Sequence, residues 1–250
     1  MQRLFVFPML LMACAFLPAC GSGSGPSITT AGGSAEGLGF LPKQAEKGAL
    51  FRYYQPRAVS AWRNNWTSTF DLTGVSWNEA TTATLIAPQY VVMAAHFQRS
   101  PHSPVMFHDK KGNPTERYVV SVQIIPGTDA AVGKLNMPVP PEIKRYAFAS
   151  ASDATIGRPV IVTDQTKTLS VHRIAGISGA TIGFDYLPGL NPVYQRNLIT
   201  GDSGNPSFLI KRGGLVLLET HTTGGSGAGA FYGDPQLQSS IRAAMAAMGN

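Results

Sequence analysis

Gly201-Asp202-Ser203-Gly204-Asn205-Pro206 sets one serine in a glycine-rich turn where nucleophilic chemistry has a use for every neighbour. Glycine permits backbone angles that a side chain forbids, so the amides of Gly201 and Ser203 can converge on one developing oxyanion. Ser203 is therefore the candidate nucleophile. Read alone, the hexapeptide also fits an ordinary surface turn, because Gly, Asp, Asn, Ser and Pro are the commonest turn residues.

A serine hydroxyl is a weak nucleophile and needs a base that a third group holds in place. Both partners lie upstream. Residues 85–96, Leu-Ile-Ala-Pro-Gln-Tyr-Val-Val-Met-Ala-Ala-His, read as an apolar strand that runs into two alanines and then presents His96, the candidate base. Residues 127–135, Gly-Thr-Asp-Ala-Ala-Val-Gly-Lys-Leu, place Asp129 at the head of another apolar strand, where it can be buried beside an imidazole and accept its second N–H.

The three segments together resemble the trypsin/chymotrypsin-like serine peptidases, whose motifs are a strand ending in Ala-Ala-His, an Asp-Ile-Ala-Leu type strand and Gly-Asp-Ser-Gly-Gly-Pro, in that chain order. The match runs from about Thr84 to the C-terminus. The resemblance implies an all-β fold of two antiparallel six-stranded barrels with a C-terminal α-helix, His96 and Asp129 on the first barrel and Ser203 on the second. It further implies an endopeptidase that works through a His96-Asp129-Ser203 triad and an acyl-enzyme, with an oxyanion hole at the amides of Gly201 and Ser203. No metal or cofactor is expected, and the partner is a protein or peptide substrate.

The chain departs from that pattern at Asn205, where the family has a third glycine, and at Phe97, where vertebrate members have a cysteine. No Arg or Lys followed by Ile-Val-Gly-Gly precedes the histidine strand. In the animal enzymes a freshly cut N-terminus pairs with the acid before the serine, so the partner of Asp202 stays open. A catalytically silent or regulated relative that holds peptides or envelope components is the alternative reading.

Counted from Ser203, the resemblance also sets His221, Thr222 and Gly224 along the primary specificity pocket and Asn197 at its floor. Asn197 in place of an acid argues against Lys or Arg substrates. His221 falls where some bacterial glutamyl endopeptidases meet an acidic side chain, a job suited to charge-assisted hydrogen bonds. Packing beneath the triad is its other reading. The expectation is an acidic or small polar residue before the cleaved bond.

Composition agrees with an all-β chain: 250 residues, 44% hydrophobic, 27 Gly and 18 Pro, without solenoid or propeller repeats. The formal charge of +6 is spread along the sequence, and Lys110-Lys111 and Lys211-Arg212 sit beside Gly at likely hairpin tips, so no nucleic-acid partner is expected. Nothing calls for a partner in folding; a monomer is expected.

The N-terminus carries a second signal. Met1-Gln2-Arg3 and an apolar run from Leu4 to Leu17 form an export leader too short to span a membrane. Leu17-Pro18-Ala19-Cys20 resembles the lipobox of bacterial lipoproteins, with Cys20 as the lipidation site; ordinary cleavage nearby and the similar Leu11-Met12-Ala13-Cys14 are alternatives. This implies an exported protein of the cell envelope, lipid-anchored to a membrane, otherwise periplasmic or secreted. Cys14 and Cys20 are the only cysteines, so the folded domain is expected to lack disulfides. The organisation is then a signal peptide (1–19), a flexible Gly/Ser tether (20–37), an N-terminal extension (38–65) and a peptidase domain (66–250).

Within that domain, Asp71 to Val75 and Thr81 to Ile86 read as early strands, and residues 105–108 and 117–120 flank a hairpin turn. The extension's aromatics, among them Phe51, Tyr53, Tyr54, Trp62 and nearby Trp66, are expected to pack on the barrels. His102 and His108 read as surface histidines, and His172 as an outward-facing position on a strand. Leu237, Ile241, Ala244, Met245 and Met248 repeat at three and four residues, predicting an amphipathic helix over 235–248.

Overall fold

Short β-branched runs punctuated by Gly, Pro and Asn turns build the molecule from two barrels that the chain enters one after the other. The structure is a computed structural model and describes residues 37–77, 81–212 and 214–249. The leader expected over residues 1–19, Cys20 and all but the last residue of the expected tether lie outside the described residues.

Three short strands come first: β1 (Gly48–Ala49), β2 (Phe51–Tyr53) and β3 (Ala61–Trp62). The first barrel uses β4 (Val75–Ser76), β5 (Ala83–Ala87), β6 (Tyr90–Ala94), β7 (Pro104–His108), β8 (Pro114–Ile125) and β9 (Ala130–Leu135), in the spatial order β4-β5-β6-β9-β8-β7. It is nearly closed, for β7 returns to β4 and the Met106 N–H donates to Ser76 Oγ at 3.2 Å. The second barrel uses β10 (Pro159–Thr163), β11 (Thr168–Ser178), β12 (Thr181–Tyr186), β13 (Pro206–Lys211), β14 (Gly214–Thr223) and β15 (Ala228–Phe231). Its order is β11-β10-β13-β14-β15-β12, and β12 pairs back onto β11, so the ring closes; β1 adds to the outer edge of β11. Two six-stranded antiparallel barrels and one C-terminal helix, α1 (Pro235–Ala247), fit a chymotrypsin-like fold.

Each barrel has its own apolar interior, and a third core joins them. Leu85, Met93 and Phe107 fill the first; Ile174, Phe184 and Leu209 fill the second. Trp77, Tyr146, Ile161, Phe208 and Tyr232 pack between the barrels, and the extension's Leu50 and Trp66 belong to that same core. Helix α1 starts on an Asp234 cap that accepts the Leu237 N–H at 2.7 Å, with Pro235 next, and buries Leu237, Ile241 and Ala244.

The extension behaves as packed structure. Trp66 Nε1–H donates to the Glu46 carbonyl at 3.0 Å and Trp62 Nε1–H to that of Asp109 at 2.8 Å, so both indoles are satisfied as they pack. Tyr53 alone of the aromatics named above is mostly exposed.

Some local expectations shift. The stretch before Val75 is a turn, because Asp71 Oδ1 accepts both the N–H and the hydroxyl of Thr73. Residues 85–96 form a hairpin, not one strand, with Ala87 opposite Tyr90 across Pro88-Gln89. His102 is exposed, but His108 is fully buried: the extension covers it, and its Nε2–H donates to the Gln55 carbonyl at 3.0 Å.

Since Trp66 is buried between extension and barrels, Trp66→Ala is expected to destabilise the folded chain by about 3–5 kcal/mol in urea unfolding. A loss under about 1 kcal/mol would mean that the extension is a loose cover.

Candidate active site

Strand register brings the first two side chains together. β6 pairs with β9 so that Ala94 faces Ala130, and the Ala95 N–H donates to the Asp129 carbonyl at 3.0 Å. A single 3-10 turn, Ala95–Phe97, then lifts His96 off the end of β6. Asp129 Oδ1 accepts the His96 backbone N–H at 2.8 Å, and Oδ2 lies 2.5 Å from Nδ1. A carboxylate at Nδ1 keeps the ring proton there and leaves the Nε2 lone pair outward. Nε2 is 2.9 Å from Ser203 Oγ, which arrives from the second barrel. Asp129 is only partly buried, its side chain 33% exposed.

The turn that carries Ser203 uses both glycines. Gly201 has φ +99° and Gly204 φ +84°, values favourable only to glycine. A Cβ on Gly204 would come within 3.0 Å of the Thr82 carbonyl, so the missing side chain also lets the barrels approach. Asn205, in the place of the third glycine, bridges them: its Nδ2–H donates to the Asp202 carbonyl at 3.0 Å and its Oδ1 accepts the Thr82 hydroxyl at 3.1 Å.

Asp202 finds its partners in two backbone amides. Its carboxylate, 1% exposed, accepts the Gln165 N–H at 2.9 Å and the Ile199 N–H at 2.7 Å. Gln165 lies in the turn between β10 and β11, on a segment that sequence reasoning did not connect with the serine.

A cleft beside His96 and Ser203 is lined by Leu198, Ile199, Thr200, Thr222, Thr223 and Gly224. Thr222 and Gly224 are thus among its lining residues. Leu198, which lines the cleft, exchanges two backbone hydrogen bonds of 2.7 and 2.9 Å with Gly225 and packs toward Phe184 over Gly227. Asn197 is outside the cleft, on an exposed depression with Tyr186, whose hydroxyl it accepts at 3.2 Å. His221 is 0% exposed, and its Nε2–H donates to the Thr163 carbonyl at 3.1 Å.

Beneath the cleft the second barrel holds charge. His221 Nδ1 lies 2.7 Å from Glu219 Oε1, which is also fully buried. Desolvation pulls the His221 pKa down, and the Glu219 carboxylate more than offsets it, leaving it raised. His172 is buried as well, because β11 turns it into the barrel and not to solvent. Its Nδ1–H donates to the Ser226 carbonyl at 2.7 Å, and its Nε2 accepts the Arg196 N–H at 3.3 Å. Burial pushes its pKa down to about 4.

Glu219 gave no signal in the sequence: with His221 it makes a polar pair two apart on a strand, a pattern that reads as solvent-facing. Among the described residues no group of three His, Cys, Asp or Glu side chains is placed to hold a metal ion. No protein-family model matches this chain, and neither does any curated protein.

His172 is neutral in the fold and takes up a proton on unfolding below its ordinary pKa of 6.5. Stability therefore falls as pH drops from 6.5 toward about 4, by ~3 kcal/mol for this group. His221 acts in the opposite sense: its share is present in full below 6.5 and is lost as pH rises through its raised folded value. Unfolding midpoints followed from pH 7 to 4 are expected to decline less steeply for His172→Gln than for wild type; equal slopes would mean that His172 does not drive the decline.

Proposed function

We propose that this chain is a serine endopeptidase that cleaves peptide bonds through an acyl-enzyme. The observation that carries the reading is His96 itself, held at Nδ1 by Asp129 while Nε2 stands 2.9 Å from Ser203 Oγ. Ser203 attacks the carbonyl carbon, and His96 takes its proton and returns it to the leaving amine. Water then repeats the sequence on the acyl-enzyme, with His96 as base again. Asp129 fixes the ring tautomer and balances the imidazolium charge. The amides of Gly201 and Ser203 receive the oxyanion, each donor supporting the barrier by ~3 kcal/mol. The two amides at Asp202 give the turn an internal source of order, which favours the enzyme over a silent relative. An exported chain tethered through a lipid on Cys20 completes the proposal.

Substrate choice follows from the Leu198–Gly225 pairing at the cleft. With Leu198 and Gly225 joined, and Asn197 and His221 withdrawn from the cleft, the residue whose carbonyl is attacked is small and uncharged. Beside His96 and Ser203, the polar side chains lining the cleft are those of Thr200, Thr222 and Thr223.

A fluorophosphonate probe is expected to label wild type but not Ser203→Ala, and folded wild type that takes no label would overturn the peptidase reading. Asp129→Asn turns an amide N–H onto Nδ1, favours the wrong tautomer and is expected to lower kcat about ten-thousandfold in steady-state assays. A peptide library should be cut after Ala, Ser or Gly, and Leu198→Ala should widen that preference; a profile led by Lys, Arg or large aromatic residues contradicts it.

A further inference from the structure

The β10–β11 turn, residues 164–167, lines no part of the cleft beside His96 and Ser203, yet it grips the serine turn at two points. The Gln165 N–H donates to Asp202 Oδ1 at 2.9 Å, and its side-chain Nε2–H donates to the Thr200 carbonyl at 2.9 Å. That carbonyl and the Gly201 N–H belong to one trans peptide and point in opposite directions. Drawing the carbonyl onto Gln165 turns the Gly201 N–H the other way, away from Gln165. The reverse orientation would put a carbonyl where a donor is needed. Glycine at 201 is what allows the grip, because a Cβ there would lie 2.7 Å from Gln165 Oε1.

The turn is braced from both sides. Asp164 Oδ1 accepts the N–H and hydroxyl of Thr166 at 2.7 and 2.6 Å, and Arg196 Nε sits 3.0 Å from Asp164 Oδ2. From the extension, the Leu50 N–H donates to the Lys167 carbonyl at 3.0 Å, Ala49 pairs with Thr168, and the Tyr54 ring lies 4.6 Å from Lys167 Nζ.

We propose that Gln165, backed by the extension, is a built-in latch that holds the Gly201 amide in its donating orientation, so that the site is ordered in the uncut chain. Gln165 is a positioning residue, and its catalytic consequence rests on the peptidase reading above.

The test uses chain whose start, by mass spectrometry, lies before Leu38, as wild type, Gln165→Ala and Gln165→Met; methionine keeps the bulk without the donor. Both variants are expected to lose about a hundredfold in kcat. KM should stay within about twofold, and affinity for a peptide aldehyde should fall in step with kcat. Tm should be little changed, and the Gly201 amide resonance should move in 15N NMR. The latch is overturned if Gln165→Met retains kcat, if KM and Tm fall together with it, or if wild type labels only after cleavage within 38–65. Wild type that never labels would end the peptidase reading alone; the Gly201 resonance then decides the latch, and an unmoved signal in Gln165→Met overturns it.

Discussion

The buried carboxylate of Asp202 is the constraint around which this end of the molecule is arranged. A carboxylate removed from water costs several kcal/mol unless charge-assisted hydrogen bonds replace its hydration. Here both oxygens are met, one by the Gln165 amide and one by the Ile199 amide. The two donors belong to different segments, so one charge ties the β10–β11 turn to the loop that carries Ser203. The shape of that loop, with Gly201 at positive φ, depends on the tie.

Behind the tie stands the extension. β1 adds a strand to the second barrel at Thr168 and Leu169, while Leu50 and Trp66 enter the core between the barrels. The aromatic stretch thereby acquires a mechanical meaning, since it supports the turn that supports the serine. The two barrels meet over the site through small contacts: Gly204 lets the Thr82 backbone come close, and Asn205 hydrogen-bonds to its hydroxyl. An asparagine side chain does here what a third glycine cannot.

The closed second barrel also holds Glu219, His221 and His172 without exposure. Gly229 leaves the room for the Glu219 carboxylate, and a Cβ there would collide with it. Such a pair is costly to separate, because removing one member leaves the other charged and unpaired in a low-dielectric interior. His221 is fully buried and does not line the cleft, whereas Leu198 does.

The sequence by itself determined which residues were on offer and their order: glycines that permit the 201–204 turn, a histidine beyond Ala94-Ala95, an acid at the head of β9, the hairpin at 109–114 and the amphipathic C-terminal helix. These are local statements, set by backbone torsion, strand ends and side-chain periodicity. The pairing at Asp202 was not legible, because its partner is a main-chain N–H 37 residues away and an amide donor has no residue identity. His172, His221 and His108 were not legible either, for alternation cannot tell solvent from the interior of a closed barrel or from a face that another segment covers. Counting from Ser203 gave Asn197 a place but not a direction, which the Leu198–Gly225 pairing turned outward. Only the tertiary structure decided which groups meet, because contacts between distant segments are set by strand register and barrel closure, and neither is written in any one stretch of chain.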